Sequence, residues 1–179
     1  PIDWDMLDIC EINNPDGSGY AFSNGTDVTV SKGYFDNKGM RKDLEAENID
    51  ITNTTIMFHF RIATHGTVGV GTCHPFPMSD DMDMLTAQDY NYPIVVAHNG
   101  IIPGMPKHKE LSDTMLFIRD YMAPLGETIH NIGVRALIGE LAFSKLVIMT
   151  ASHLYTIGKF TKGKGWMHSN DSYRETWYA

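Results

Sequence analysis

A chain of 179 residues is long enough for one well-buried core and too short for two ordinary domains. No repeat or linker divides it, so residues 1–179 read as a single domain. Hydrophobic content of 42% with 20% charged residues excludes a disordered chain, and a formal net charge of −8 argues against a nucleic-acid partner. Two cysteines are too few for a disulfide framework, no apolar run is long enough to span a bilayer, and the first residues lack a signal-peptide pattern. These features predict a cytoplasmic protein with no membrane partner.

In chain order, Trp4 to Ile12 places Trp4, Leu7, Cys10 and Glu11 at helical spacing. Asn14-Pro15-Asp16-Gly17 ends that helix. Gly19–Ser23 and Val28–Gly33 flank Asn24-Gly25 and read as a hairpin. Asp36 to Glu47 is an exposed helix or an irregular excursion. Thr55–Ala63 and Pro93–Ala97 read as buried strands, with a long polar loop, Met78 to Asp89, between them. Leu111–Tyr121 is a helix with Ser112 as its N-cap, and a second helix covers Ile129–Phe143. Lys145–Thr150, Leu154–Phe160 and Trp166–His168 return to strands. Early strands, middle helices and late strands predict an α+β fold.

Three segments carry side chains suited to chemistry. Phe58 to Gly66 delivers Arg61 from a strand into a polar turn. A guanidinium there needs an anionic partner, and its planar fork matches a carboxylate; an internal ion pair is the structural alternative. Val95 to Ile102 leaves a strand through Asn99-Gly100. That pair is an ordinary turn former, or else an oxyanion hole made of an amide side chain and a backbone N–H. Ser112-Asp113-Thr114 opens a helix, where an acid is favoured by the helix dipole whether or not it binds a ligand.

Together these segments resemble class II glutamine amidotransferases, a branch of the N-terminal nucleophile hydrolases. The family pattern His-x-Arg-x-Ala-Thr-x-Gly, then His-Asn-Gly, then Asp at a helix start is matched by His59 to Gly66, His98 to Gly100 and Asp113. Thr72 to Phe76 resembles the family's His-Pro segment. Asn14 to Tyr20 and Ser169 to Tyr173 resemble runs in short phage-borne and bacterial members, so the resemblance spans nearly the whole chain. It implies a four-layer αββα sandwich and hydrolysis of the glutamine side-chain amide through a Cys thioester. Arg61 would bind the α-carboxylate of glutamine and Asp113 its α-ammonium. Asn99 and Gly100 would form the oxyanion hole, and Thr64 and His65 would line the pocket. It implies no cofactor and no metal, with ammonia passed to an acceptor, on a partner protein if need be.

The family's nucleophile is an amino-terminal Cys, whereas this chain starts at Pro1; the expectation is that a short stretch beginning Met-Cys precedes it. Cys10 and Cys73 read as core residues, Cys10 facing away from the pocket and Cys73 beside His74 in the loop after Arg61. His59, His65, His74 and His98 surround the pocket without a metal-ligand spacing. Other readings remain open. One is an inactive member of the fold that binds or assembles through Met78–Asp89 and the C-terminal strands, within a virion if phage-encoded. Another is an amidase or peptidase of the same fold.

Overall fold

The computed structural model describes residues 2–63 and 67–174. Its architecture is mixed, with helices and two four-stranded antiparallel sheets, as the α+β expectation requires.

Helix α1, Trp4–Asn13, is capped by Asp3, whose carboxylate accepts from the Met6 N–H at 3.0 Å. Leu7 and Cys10, one turn apart, are its buried apolar residues. Strands β1 (Ser18–Ser23) and β2 (Val28–Tyr34) form the hairpin. Asn24 closes its loop, Oδ1 accepting from the Thr26 and Asp27 N–H groups at 3.0 and 2.9 Å. The charged segment that follows is helical: α2, Asn37–Ala46, shows its charges to solvent and buries Met40 and Leu44. Strand β3 (Ile56–Phe60) pairs with β1 and lies at the edge of the first sheet, β3-β1-β2-β5.

The polar stretch after β3 is more ordered than its composition suggests. Beyond the short strand β4 (Phe76–Pro77), Asp81 caps a five-residue helix, α3 (Met82–Thr86), which inserts Leu85 fully into the core. Met78 is buried as well, and Met82 packs against the same core. The expected long loop is therefore shorter, because a cap and one apolar anchor suffice for a helical turn. It is followed by β5 (Asp89–Tyr92), an edge strand whose alternation of polar and tyrosine side chains gave no apolar signal.

The second sheet has the order β4-β6-β7-β8, with β6 at Ile94–Asn99, β7 at Lys145–Thr150 and β8 at Leu154–Ile157. The helix expected over Leu111–Tyr121 is α4, Asp113–Phe117, which widens into a π-helical turn over Ile118–Met122. The next helix, α5 (Ile132–Ala142), starts later than the apolar pattern implied because Asn131 caps it. A small hairpin of β9 (Thr161–Gly163) and β10 (Trp166–His168) follows.

Strand alternation sorts the core into three clusters. Tyr20, Phe22, Ile56 and Phe58 join α2 residues Met40 and Leu44 on one side of the first sheet. Ala21, Val30 and Met57 on its other side meet Val95, Ala97 and Met149 of the second sheet. The opposite side of the second sheet, Val96, Leu146 and Ile148, packs on Met115, Phe117 and Ile138 of the later helices. No helix among the described residues is long and apolar enough to cross a membrane.

Candidate functional site

The period-two alternation that builds the core also aims the polar residues. Met57 faces the second sheet, and His59 and Arg61 continue that parity; Val95 and Ala97 face the first sheet, and Asn99 continues theirs. Where these rows run out of apolar side chains, a cavity of about 1120 Å³ opens. Arg61, Asn99, Gly100 and Asp113, four of the six residues singled out from the sequence, line it together. The other two, Thr64 and His65, lie outside the described residues.

Arg61 is 4% exposed. Its Nη1 donates to the Thr67 carbonyl and to Thr72 Oγ1, both at 3.0 Å. Its backbone is clamped by the turn that ends α1. The Arg61 N–H donates to Gly17 O at 2.8 Å, the Asp16 N–H donates to Arg61 O at 2.9 Å, and the Ala63 N–H donates to Asp16 Oδ2 at 2.7 Å. An Asn-Pro-Asp-Gly turn distant in sequence thus sets the end of β3.

Asp113 is the first residue of α4, next to its N-cap Ser112, whose Oγ accepts from the Met115 N–H at 3.2 Å. Asp113 Oδ2 accepts from the Ile102 N–H and Oδ1 from the Thr114 N–H, each at 2.8 Å. The carboxylate braces the loop after Asn99-Gly100 against the helix start; Oδ1 also lies 3.4 Å from Thr114 Oγ1, and Oδ2 retains a further lone pair.

Asn99 ends β6. Its Nδ2 donates to Ser169 Oγ at 2.7 Å, and its carbonyl accepts from Ser144 Oγ at 2.9 Å. Ser169 is in turn tied down by the Lys145 ammonium, which donates to its carbonyl. Gly100 has φ +131°, a conformation L side chains rarely adopt, and a Cβ there would collide with Ser144 Oγ.

Three imidazoles lie beside these residues. His98, with the parity opposite to Asn99, bonds Thr114 Oγ1 through Nδ1 at 2.8 Å and Ser144 Oγ through Nε2 at 2.9 Å. The His59 Nε2 contacts the His98 carbonyl at 2.9 Å and must donate to it, so Nδ1 is the bare nitrogen of a neutral His59 ring. His74 stacks on His59 with ring centroids 4.1 Å apart, and neither of its buried ring nitrogens has a hydrogen-bond partner among the described residues. Burial drives His59 and His98 down to about 4, Asp113 opposing it at His98, and burial holds His74 well below its ordinary value. Among the described residues no three His, Cys, Asp or Glu side chains are grouped to hold a metal ion.

Both cysteines are buried, as expected of core residues, but Cys10 is not turned away from the pocket. Cys10 lines the cavity, because α1 runs along its edge, while Cys73 is fully buried beneath Gly17 and contacts the Gly69 carbonyl at 3.4 Å. Burial pushes the Cys10 thiol up to about 11, and burial also raises Cys73 against the opposing pull of Arg61 and Lys32. Neither is an activated thiolate.

Sequence reasoning missed Ser144. It follows Phe143, the left-handed C-cap of α5, at the start of β7, and a lone Ser between a helix and a strand carries no motif. Compared with known proteins, the chain matches no family model and no curated sequence.

Proposed function

We propose that this chain is a class II glutamine amidotransferase domain that hydrolyses the side-chain amide of glutamine and releases ammonia for an acceptor held elsewhere. The observation that carries the reading is the meeting of Arg61, Asn99, Gly100 and Asp113 in one cavity. A fixed cation and a fixed anion complement a zwitterionic amino acid, and an amide side chain beside a backbone N–H complements a developing oxyanion. The succession of α2, first sheet, second sheet and later helices supports the four-layer αββα sandwich that the resemblance implies.

In this reading the nucleophile is an amino-terminal Cys outside residues 1–179. The cavity runs along β3, an edge strand, where a strand bearing that residue would add. Its thiolate attacks the amide carbon of glutamine, and the oxyanion takes hydrogen bonds from Asn99 Nδ2 and Gly100 N–H. The C–N bond breaks, ammonia leaves with a proton returned by the α-amine, and water then cleaves the thioester to glutamate. Cys10 and Cys73 take no part, since their thiols stay protonated.

The test uses full-length protein with its native amino terminus. Ammonia release from glutamine, with Arg61→Ala raising KM by roughly 10- to 100-fold, supports the reading. Protein that neither binds nor hydrolyses glutamine overturns it. A second reading, an inactive assembly protein of the same fold, is favoured by the apolar side chains that α5 and its cap leave exposed at Ile132, Leu137, Leu141 and Phe143. Stoichiometric incorporation into an assembly, without turnover, would select it.

A further inference from the structure

The Asn99-Gly100 turn is held by a chain of hydrogen bonds that begins at the residue after Asp113. We infer that Thr114, His98 and Ser144 form a relay of one fixed direction that aims the Gly100 N–H, making Ser144 a positioning residue for amide hydrolysis. Its catalytic half rests on the glutamine-hydrolysing reading; its hydrogen-bond order does not.

The direction follows from counting protons. A backbone carbonyl only accepts, so the 2.9 Å contact between Ser144 Oγ and Asn99 O uses the single hydroxyl proton of Ser144. Ser144 Oγ must then accept from His98 Nε2 at 2.9 Å. A neutral imidazole has one N–H, so His98 Nδ1 is bare and accepts from Thr114 Oγ1 at 2.8 Å. Thr114 is 1% exposed and His98 4%, so water does not compete at the Thr114–His98 contact, while Ser144 is half-buried. The order is Thr114 to His98 to Ser144 to the Asn99 carbonyl; Thr114 Oγ1 also lies 3.4 Å from Asp113 Oδ1, and the shorter 2.8 Å contact to His98 together with the Ser144 bond to Asn99 O sets this direction.

The end of the relay matters because of peptide geometry. Asn99 C=O and Gly100 N–H belong to the same planar peptide group and point in opposite directions across it. Fixing the carbonyl on Ser144 therefore fixes the direction in which Gly100 donates. Gly100 has no side chain and takes a φ of +131° that few other residues adopt, so Ser144 adds a side-chain anchor at the point where the pairing of Asn99 with Lys145 ends β6. Ser144 also fills the space where a Cβ of Gly100 would stand. At the other end, Thr114 follows Asp113, whose Oδ1 holds the Thr114 N–H. The relay thus joins the proposed ammonium-binding carboxylate to the proposed oxyanion donor through two buried side chains, Thr114 and His98, and the half-buried Ser144.

The experiment uses full-length protein with its native amino terminus and two readouts. Nitrogen NMR of the wild type should find His98 protonated on Nε2 and bare on Nδ1. Ser144→Ala should lower kcat for glutamine roughly 10- to 100-fold with KM nearly unchanged, since a misaimed donor costs the transition state alone. Ser144→Thr, which keeps the hydroxyl, should recover most of the loss. Thr114→Val should leave His98 protonated on Nε2, since Ser144 still needs that proton, and should lower kcat less. A His98 protonated on Nδ1 in the wild type, or Ser144→Ala at full kcat, or a loss confined to KM, overturns the relay. Wild type that does not turn over glutamine overturns the functional reading instead. The relay is then decided by the His98 tautomer and by exchange of the Gly100 amide, which Ser144→Ala must accelerate; an unchanged rate overturns it.

Discussion

The Cα of Gly100 lies against the Ser144 hydroxyl so closely that a methyl group there would overlap Oγ. Gly100→Ala therefore meets two penalties, a positive φ of +131° and a steric clash with a residue that is itself bonded on both sides. It should cost about 1–3 kcal/mol for the backbone and more for the displaced Ser144. Gly25, at φ +96° with nothing within 4 Å, isolates the first penalty. Urea denaturation should rank Gly100→Ala as clearly the more damaging; equal midpoints would mean that Ser144 moves aside without consequence.

Arg61 and Asp113 separate by chemistry if they hold the two ends of an amino acid. Arg61→Lys keeps a charge and loses the planar fork, so KM for glutamine should rise roughly tenfold or more with a smaller change in kcat. Asp113→Asn should raise KM for glutamine but leave it unchanged for 4-carbamoylbutanoate, which lacks the ammonium. Steady-state kinetics on the two substrates checks this. An equal loss on both would assign Asp113 only the bracing of Ile102.

The buried imidazoles make the fold sensitive to acid. His59 and His98 titrate near 4 in the folded chain and His74 well below 6.5, against 6.5 when unfolded. Between pH 6.5 and about 4 the unfolded chain binds more protons, so stability is full above pH 6.5 and falls as pH drops through that window. Each such group contributes up to about 1.4 kcal/mol per pH unit. His74→Phe keeps the stack on His59 and should flatten the dependence, as read from urea unfolding at pH 7 and pH 5.

Much of the architecture was legible because burial writes period two into strands and a cap before helices. The hairpin around Asn24-Gly25 and the strand through Val95 and Val96 are examples. The edge strand at Asp89–Tyr92 was not, since one side of it faces solvent and its aromatic residues alternate with polar ones. Arg61, Asn99, Gly100 and Asp113 stood out by order and residue type. That they share a cavity depends on sheet pairing, which no local pattern encodes. Ser144 was invisible because its role comes from a peptide plane it touches across the fold. The side of the chain on which Cys10 lies was misjudged for a related reason: a helical face is readable, but its neighbour is not.

Lys32 supplies a prediction at the other end of the pH scale. It is 2% exposed, donates to Leu85 O at 2.8 Å and Gly71 O at 3.2 Å, and sits 4.1 Å from the Phe76 ring centre. Burial lowers it to about 7 from 10.5, opposed by Cys73. The unfolded chain thus holds the extra proton between about pH 7 and 10.5, and the contribution of this group to stability rises with pH across that range. Lys32→Met should abolish the rise between pH 7 and 8, below the range where the thiols of Cys10 and Cys73 begin to ionise in the unfolded chain and oppose it. Chemical denaturation at the two pH values would show it; a slope unchanged by the substitution would mean that Lys32 stays charged.

The clamp between Asp16, Gly17 and Arg61 has a further consequence. Aim and grip at this guanidinium are separately encoded: the side chain grips, whereas a turn more than forty positions earlier acts as the sight. Changes in that turn would reach the cavity as errors of direction. A variant there could keep every residue that touches a ligand and still hold it askew.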